Sequence, residues 1–431
     1  MKYIEDEIPF ELPEGWAWAR LGNITDITTG RLDANAQVED GVYPFFTCGE
    51  EVLQTDTFAF DCDAVLLGGN NAVGDFKMHR FSGKFNAYQR VYVITAYALL
   101  DTDYIYNHIQ YYLPMLKEMS IGSQTRYLKL GMVTELLISI PPLNTQKFLS
   151  NKIKELLNYC DEIEANKSSL NDLLINTKSK ILDLAIRGQL VPQDPNDEPA
   201  SVLLERIRAE KEELIKQGKL KRDKKESVIF KGEDNSYYEK IGSEMRCIDS
   251  EIPFDLPESW IFTRLKHIGE VIGGGTPKTN IDEYWDGNIP WLTPADLSGY
   301  EDVYILTGAR TITELGLKSS SAQMLPKNSI LYSSRAPIGY IAIAANPIST
   351  NQGFKSVVPY NFAMSPYLYY CLKARTSDIV QRATGTTFKE ISGSEMAETI
   401  IPLPPIDEQQ RIFDKVTQLL EALSTIEKSL N

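Results

Sequence analysis

Two short turns carry side chains able to read a planar, polar edge. In "GGNNAVG" (68–74) the amides Asn70 and Asn71 sit side by side among glycines. In "SSRAP" (333–337) the guanidinium of Arg335 stands in a turn-rich context where it can project outward. An adjacent amide pair suits the donor and acceptor of an adenine edge, or it is simply a turn. Arg335 could pair bidentately with a guanine or hold a phosphate. Similar donors cluster in other loops. The first half of the chain offers Arg31 and, in "GSQTRYLK" (122–129), Gln124, Arg126 and Lys129. The second offers Thr276, Lys278, Gln352 and Lys355, and, in "GTTFKEIS" (385–392), Thr386, Thr387 and Lys389. These residue types fit phosphates and base edges. Trp16, Trp260 and Trp291 are read as packing residues rather than base-stacking ones.

No catalytic constellation accompanies them. The chain has no GxxxxGK[ST] phosphate loop, no GxSxG nucleophile elbow and no NPPY- or DPPY-type methyltransferase signature. "GGGT" (273–276) lacks the lysine and spacing of a phosphate loop; it is a close approach of backbone to backbone or phosphate, or a plain turn. The five cysteines contain no CxxC pair, and the three histidines fall at no metal-like spacing. No apolar run reaches eighteen residues, and "MKYIEDEIPF" lacks the apolar core of a secretory signal. A reduced, cytoplasmic, metal-free protein is expected. The net charge of −15 argues against a stand-alone DNA binder. It weighs less against a DNA reader inside a complex, where one face and a partner set the local field.

The elements that position these loops come twice. "EIPFELPEGWAWARL" (7–21) returns as "EIPFDLPESWIFTRL" (251–265), with ten of fifteen residues identical. The match continues through "AVLLGGNNAVG" (64–74) and "SILYSSRAPIG" (329–339), "NAYQRVYV" (86–93) and "NQGFKSVV" (351–358). It closes with "ISIPPLNTQ" (138–146) and "IIPLPPIDEQ" (400–409). Trp16 and Pro141 are 125 residues apart and Trp260 and Pro404 are 144, so the second copy holds 19 more. A shared frame with different loops is the pattern of one scaffold presenting two recognition surfaces. Each copy mixes short β-rich runs with one helical stretch, at 101–119 (capped by Asp101 or Asp103) and 365–383.

Each copy ends in Pro-Pro followed by a helical pattern. The first helix is expected from an Asn144 cap to about Arg187, closed by Gly188, some 64 Å at 1.5 Å per residue. Its seam reads Ile153, Leu156, Cys160, Ile163, Lys167, Leu170, Leu174, Thr177, Ile181, Leu184. This alternating three-four step is a heptad pattern, although an amphipathic helix lying on a globular core is the other reading. The second helix is expected to be capped by Asp407 with Gln410 at N3, and its seam runs Ile412, Val416, Leu419, Leu423, Ile426, Leu430. Two such helices packed antiparallel would hold the domains apart. The rest of the first seam would pair with a partner protein or with the helix at 201–217, started by Ser201. "KLKRDKK" (219–225) is a solvated linker or a phosphate contact. The resulting plan is residues 1–141, first domain; 142–250, helical spacer and linker; 251–404, second domain; 405–431, C-terminal spacer helix.

Taken together, "EIPFELPEGWAWARLG", "ILYSSRAPIGYIAIAANPISTNQGFKSVVP", "GTTFKEISGSEMAETIIPLPPIDEQQRI" and "AIRGQLVPQDPNDEPASVLLERI", in tandem, resemble the specificity (S) subunit of type I restriction–modification systems. The resemblance implies two α+β target recognition domains joined by long helices forming an antiparallel coiled coil. Each domain would read one half of a split, asymmetric double-stranded DNA target, and the coiled coil would set the gap. Two methyltransferase (M) subunits would dock on the helices and restriction (R) subunits would join them. The chain itself would do no chemistry and bind no cofactor; S-adenosylmethionine, ATP and Mg2+ are expected on the partners. A methyltransferase-only complex and a structural adaptor that does not bind DNA are the competing readings.

Overall fold

The computed structural model describes residues 7–218, 220, 227–335, 337–385 and 389–430. The chain forms two compact units that divide between Asn166 and Lys167. Among the described residues no helix is long and apolar enough to cross a membrane.

The repeated phrase has a structural meaning in both copies. Its strand, Ala17–Arg20 in the first, pairs antiparallel with the domain's last strand, Leu137–Ile140, from Ala17↔Ile140 to Arg20↔Leu137. In the second copy Ile261–Arg264 pairs with Ile400–Leu403 in the same register. The next amide continues the ladder, Leu21 to Leu136 O and Leu265 to Thr399 O, both at 2.9 Å. Each domain is therefore closed where it begins and ends.

An arginine buttresses each closure. Arg20 Nη1 donates to Glu135 O at 2.6 Å, and the guanidinium pairs with Glu7. Arg264 Nη1 donates to Glu398 O at 2.9 Å and Nη2 to Glu251 Oε2 at 2.8 Å. Glu7 and Glu251 are the first letters of the repeated phrase. The second copy adds a third acid: Glu239, 2% exposed, takes Arg264 in a two-point pair at 2.7 and 3.2 Å. Glu239 lies in a three-stranded meander, Ser227–Lys231, Tyr237–Ile241 and Glu244–Cys247. This corrects the sequence expectation of a linker up to residue 250. The strands are largely exposed, with Ser227 and Glu239 buried.

Inside each domain a central strand is buried on both faces. In the first unit Phe60–Gly68 lies within a six-stranded sheet, ordered Thr25–Thr29, Val91–Ala96, Phe60–Gly68, Met78–Ala87, Tyr43–Phe46, Leu53–Thr55. Val65 and Leu67 face helix α1 (Thr102–Met119), while Ala64 and Leu66 join Phe46 and Phe85 on the other face. Alternation within one strand thus feeds two cores. Asp101 caps α1, accepting from Tyr104 N at 2.9 Å. In the second unit Ile330 and Tyr332 enter one core and Leu331 another. The helix expected over 365–383 is broken into Ser365–Ala374 and Thr376–Arg382. Thr376 Oγ1 donates to Leu372 O at 2.9 Å, a local bond that competes with continued helix.

Helix α2 (Leu143–Ile186) is 44 residues long and stops before Gly188, whose φ is +68°. A Cβ on Gly188 would lie 2.6 Å from Pro257 Cγ, so this position requires glycine on two counts. Three expected caps are displaced. Helices α2, α3 (Ala200–Lys216) and α4 (Ile406–Leu430) each begin directly after a proline, so Asn144, Ser201 and Asp407 lie inside the first turn. The fixed φ of proline presets these starts, and Pro142 O and Pro405 O accept from Gln146 N and Gln409 N at 3.0 Å. The same glutamines, both buried, reach back with Nε2 to Pro141 O (2.8 Å) and Pro404 O (2.9 Å).

The two seams meet different surroundings. In the second unit Leu174 and Ile181 are buried, Leu170 and Leu184 half-buried. Ile181 shares a core with Ile412 and Val416 of α4 and with Trp260, Tyr367 and Leu368 of the domain. Ile412 and Val416 are thus domain core as much as seam, while Leu419 and Leu423 pack at its margin. Leu430 is half-buried and Ile426 exposed. Where α2 and α4 approach, they run antiparallel. Asp197, just beyond α2, holds Arg411 near the start of α4, and Lys178 pairs with Glu427 near its end. Within the first unit, Ile153, Leu156 and Ile163 are exposed; they belong to the part of the seam that the C-terminal helix was not expected to pair.

Burial alone would raise the Glu239 carboxyl; hydrogen bonds from Arg264, Ser227 and Arg246 outweigh it and bring it down to about 2. A depressed acid stabilises the fold above its ordinary value of 4.5 and loses that contribution as pH falls toward 2. Arg264→Ala takes the two-point partner from this carboxylate, leaving Arg246 and Ser227, and is expected to cost about 2–3 kcal/mol in denaturant unfolding at pH 7, the scale of hydrogen bonds to a charged group. It should also flatten the loss of stability between pH 4.5 and 2 seen in the unsubstituted chain. Arg20→Ala, with no buried third acid, is expected to cost less.

Candidate nucleic-acid interface

The turn after each central strand is stapled by backbone to two neighbouring loops. In the first unit Gly69 N donates to Arg90 O at 2.7 Å and Gly69 O accepts from Leu128 N at 2.8 Å. In the second, Ser334 N donates to Gly353 O at 2.7 Å and Ser334 O accepts from Ile391 N at 3.0 Å. Gly69 and Ser334, and Leu128 and Ile391, are equivalent in the repeat alignment; the accepting carbonyls of Arg90 and Gly353 stand two positions out of step with it. The staples use main-chain atoms, to which Ser334 Oγ adds a donation to Gly353 O at 3.1 Å, and a Cβ on Gly69 would lie 2.5 Å from Arg90 O; the residues that follow each staple differ between the copies.

The next residues form short pairings. Asn70 lies opposite Tyr127 and Asn71 opposite Arg126; Arg335 lies opposite Glu390. The facing hairpins are closed by Ile121↔Tyr127 and Thr384↔Glu390. Gly122 (φ +113°) and Gly385 (φ +122°) make their bends. A Cβ on Gly122 would stand 2.1 Å from Thr125 O, which only glycine avoids. A further loop joins on each side. Gly30 N bonds Val91 O at 3.2 Å, bringing Arg31 beside the 88–91 segment; Gly275 N bonds Thr350 O at 2.9 Å, bringing Thr276 to Gln352.

Sequence-distant candidates are thereby gathered: Asn70, Asn71, Gln124 and Arg126 in one unit, Arg335, Gln352, Lys355 and Lys389 in the other. Several have other commitments. Asn71 Oδ1 accepts from Val73 N (2.9 Å) and Asp75 N (3.2 Å), the loop-forming role of an Asx turn. Arg126 Nη1 donates to Lys117 O at 3.0 Å and Ser120 Oγ at 3.3 Å, closing the C-terminal end of α1. Lys355 pairs with Glu390 at 3.5 Å, and Thr276 hydrogen-bonds Gln352. Arg31, Gln124, Lys129, Lys278, Gln352 and Lys389 are exposed, and Asn70 and Arg335 half-buried. Thr386, Thr387 and most of the 219–225 basic run lie outside the described residues.

Two groups escaped the sequence reading. Tyr127, exposed, stands beside Asn70 in the hairpin. Arg310 lies with its guanidinium carbon 3.6 Å from the ring centroid of Trp285. Arg310 falls between positions 274 and 329, the interval where the second copy is longer than its counterpart at 30–64. That mismatch was the available signal. The tryptophans behave as packing residues: Trp260 and Trp291 are buried, Trp16 half-buried, and Trp260 Nε1 donates to the buried Glu408 at 2.9 Å. Burial pushes the Glu408 carboxyl up, against the hydrogen bonds from Trp260 and Gln193.

These features define a protein that carries one recognition scaffold twice, each with its own loop side chains. A family profile described as "Type I restriction modification DNA specificity domain" matches residues 13–171 and again 257–431. The chain belongs to that family. It is 28% identical over 428 residues to the Type I restriction enzyme EcoDI specificity subunit of Escherichia coli, covering 98% of this chain and 85% of that protein. It is 49% identical over 159 residues to the Type I restriction enzyme MjaIX specificity subunit of Methanocaldococcus jannaschii, a match that spans 36% of this chain and 37% of that protein. The fold is similar to that of the HsdS subunit from Thermoanaerobacter tengcongensis (16% identity, TM-score 0.54, covering 97% of this chain and 93% of that one). It is also similar to a chain of a type I R-M system described for its complex assembly and conformational transition (17% identity, TM-score 0.57, 98% and 94%).

Arg126 supports the loop geometry, and its side chain also lies under Gly74, where a Cβ would meet Arg126 Cδ at 2.8 Å. Arg126→Ala is expected to speed amide hydrogen exchange in residues 70–75 and 121–128. Global stability should fall by only about 1 kcal/mol, the scale of one lost hydrogen bond.

Proposed function

We propose that the two domains divide one DNA target between them, each reading a different half-site. As a type I specificity subunit the chain supplies the choice of sequence and carries out no catalytic step. The observation that favours unlike half-sites is the pairing of equivalent backbone staples with unlike side chains. Asn70 stands where the second copy has Arg335, Arg126 where it has Lys389, and Gln124 where it has Thr387. An amide and a guanidinium select different base edges, so the target is asymmetric.

In this reading Arg31, Asn70, Gln124 and Lys129 face one half-site, and Lys278, Arg335, Gln352 and Lys389 the other. Asn71, Arg126, Thr276 and Lys355 hold the loops that present them. Two domains on one chain raise the effective concentration of the second contact once the first is made. The partners are double-stranded DNA, two methyltransferase subunits and restriction subunits, with S-adenosylmethionine, ATP and Mg2+ bound by the partner subunits and the assembly in the cytoplasm. The relatives' names as specificity subunits support this assignment. Partner subunits also supply a reason for a net charge of −15 in a DNA-reading chain, since cationic surface can come from them.

The test is the motif of modified adenines in cells that express the chain with its methyltransferase. Arg335→Ala is expected to relax or abolish selection in one half of a split motif and leave the other half unchanged. Lys389→Ala, as a phosphate contact, should weaken binding to all sequences alike and reduce the salt slope by about 1. A change spread over both half-motifs in Arg335→Ala would contradict the division.

A further inference from the structure

The second domain holds one guanidinium in an unusually fixed setting. Arg310, in the strand Arg310–Ile312, lies over the indole of Trp285 at 3.6 Å. Trp285 is buried and is itself held at both ends. Its Nε1 donates to Lys278 O at 3.2 Å, and its ring meets Trp291 edge-on at 5.1 Å. Trp291 Nε1 in turn donates to Gly275 O at 2.9 Å. The base of the stack is thus tied to the 275–278 loop at two points.

Strand register connects this stack to the reading surface. Trp291 pairs with Arg310 on one side and Ser349 on the other. Arg310 therefore sits two strands, about 10 Å, from the strand that runs through Thr350 toward Gln352. Gln352 hydrogen-bonds Thr276, in the same loop that holds the two tryptophans. Arg310 itself is exposed. Among the described residues no carboxylate lies within ion-pair distance of it, although the chain has 59 acidic residues. Stacking uses the face of a guanidinium and leaves its in-plane N–H donors available in a fixed fork. That fork matches the O6 and N7 of guanine in the major groove.

We propose that Arg310 is a specificity-determining residue of the second half-site, a pre-oriented fork for a guanine edge. The proposal rests on the second domain reading DNA, as assigned above. It is tested with the chain assembled with its methyltransferase partner. Binding is measured to duplexes carrying the cell's own split motif, with each base pair of each half-site substituted in turn. Arg310→Ala is expected to remove about tenfold or more of the discrimination at one G·C pair of the second half-site, leaving the first half-site unaltered. Arg310→Lys keeps the charge and covers the indole but lacks the fork. It should retain overall affinity and the melting temperature while losing the same discrimination. Uniform weakening on every duplex in Arg310→Ala, with a shallower salt slope, would overturn the proposal in favour of a phosphate contact. Unchanged discrimination in both variants would overturn it in favour of simple packing on Trp285. Absence of second-half-site selectivity in the unsubstituted complex would overturn the domain assignment and this proposal together, and is recognised because it needs no variant.

Discussion

The structure depends on the antiparallel pairing of each domain's first strand with its last, buttressed by an arginine. Ala17–Arg20 lies on Leu137–Ile140 and Ile261–Arg264 on Ile400–Leu403 in one register. Arg20 and Arg264 then reach the carbonyls of Glu135 and Glu398 and the carboxylates that open the repeated phrase. A long-range pairing of this kind closes a loop of well over a hundred residues, and its entropy cost grows only slowly with length. The frame can thus hold very different insertions between the same two strands. The extra length of the second domain falls in the interval that carries Arg310–Ile312, a strand that pairs with Trp285–Leu292 as Leu53–Thr55 pairs with Tyr43–Phe46 in the first.

Recognition loops are then fixed by atoms that every residue possesses. Gly69 and Ser334 make the same pair of main-chain hydrogen bonds, and the hairpins opposite them bend at glycines with positive φ. Side chains next to these staples fall into two kinds. Asn71 and Arg126 turn inward to hold loop and helix end, while Gln124, Lys278 and Lys389 remain exposed. The division separates groups that hold the shape of the scaffold from exposed groups that differ between the copies.

Much of this was legible in the chain. The tandem phrase announced two like frames, the short β-rich runs announced strands in each, and Gly188 marked the end of the long helix. The helix starts were misread because each follows a proline whose preset φ moves the boundary ahead of the polar residue that would otherwise cap it. The meander at 227–247 was hidden because its strands are short and charged. Glu239 reads as a surface acid until Arg264, 25 residues on, is brought against it. Seam residues carried the same ambiguity. Ile412 and Ile153 look alike in a heptad, yet one is buried among the side chains of a domain and the other is exposed. Periodicity fixes which face of a helix is apolar, not what lies against it.

Closure at a single point has a genetic corollary. A chain that enters and leaves a domain on adjacent strands presents neighbouring ends to whatever precedes and follows it. The stretch between "WARL" and "ISIPP", or between "FTRL" and "IIPLPP", therefore has neighbouring ends at which a different stretch can be joined, provided that it keeps the side chains that pack on the helices, as Tyr367 and Leu368 do in the second domain. Because the two frames are alike at those junctions, crossover between the halves, or with a foreign gene of the same kind, joins compatible ends. New combinations of heads would then arise by exchange of whole segments rather than by the slow accumulation of point changes.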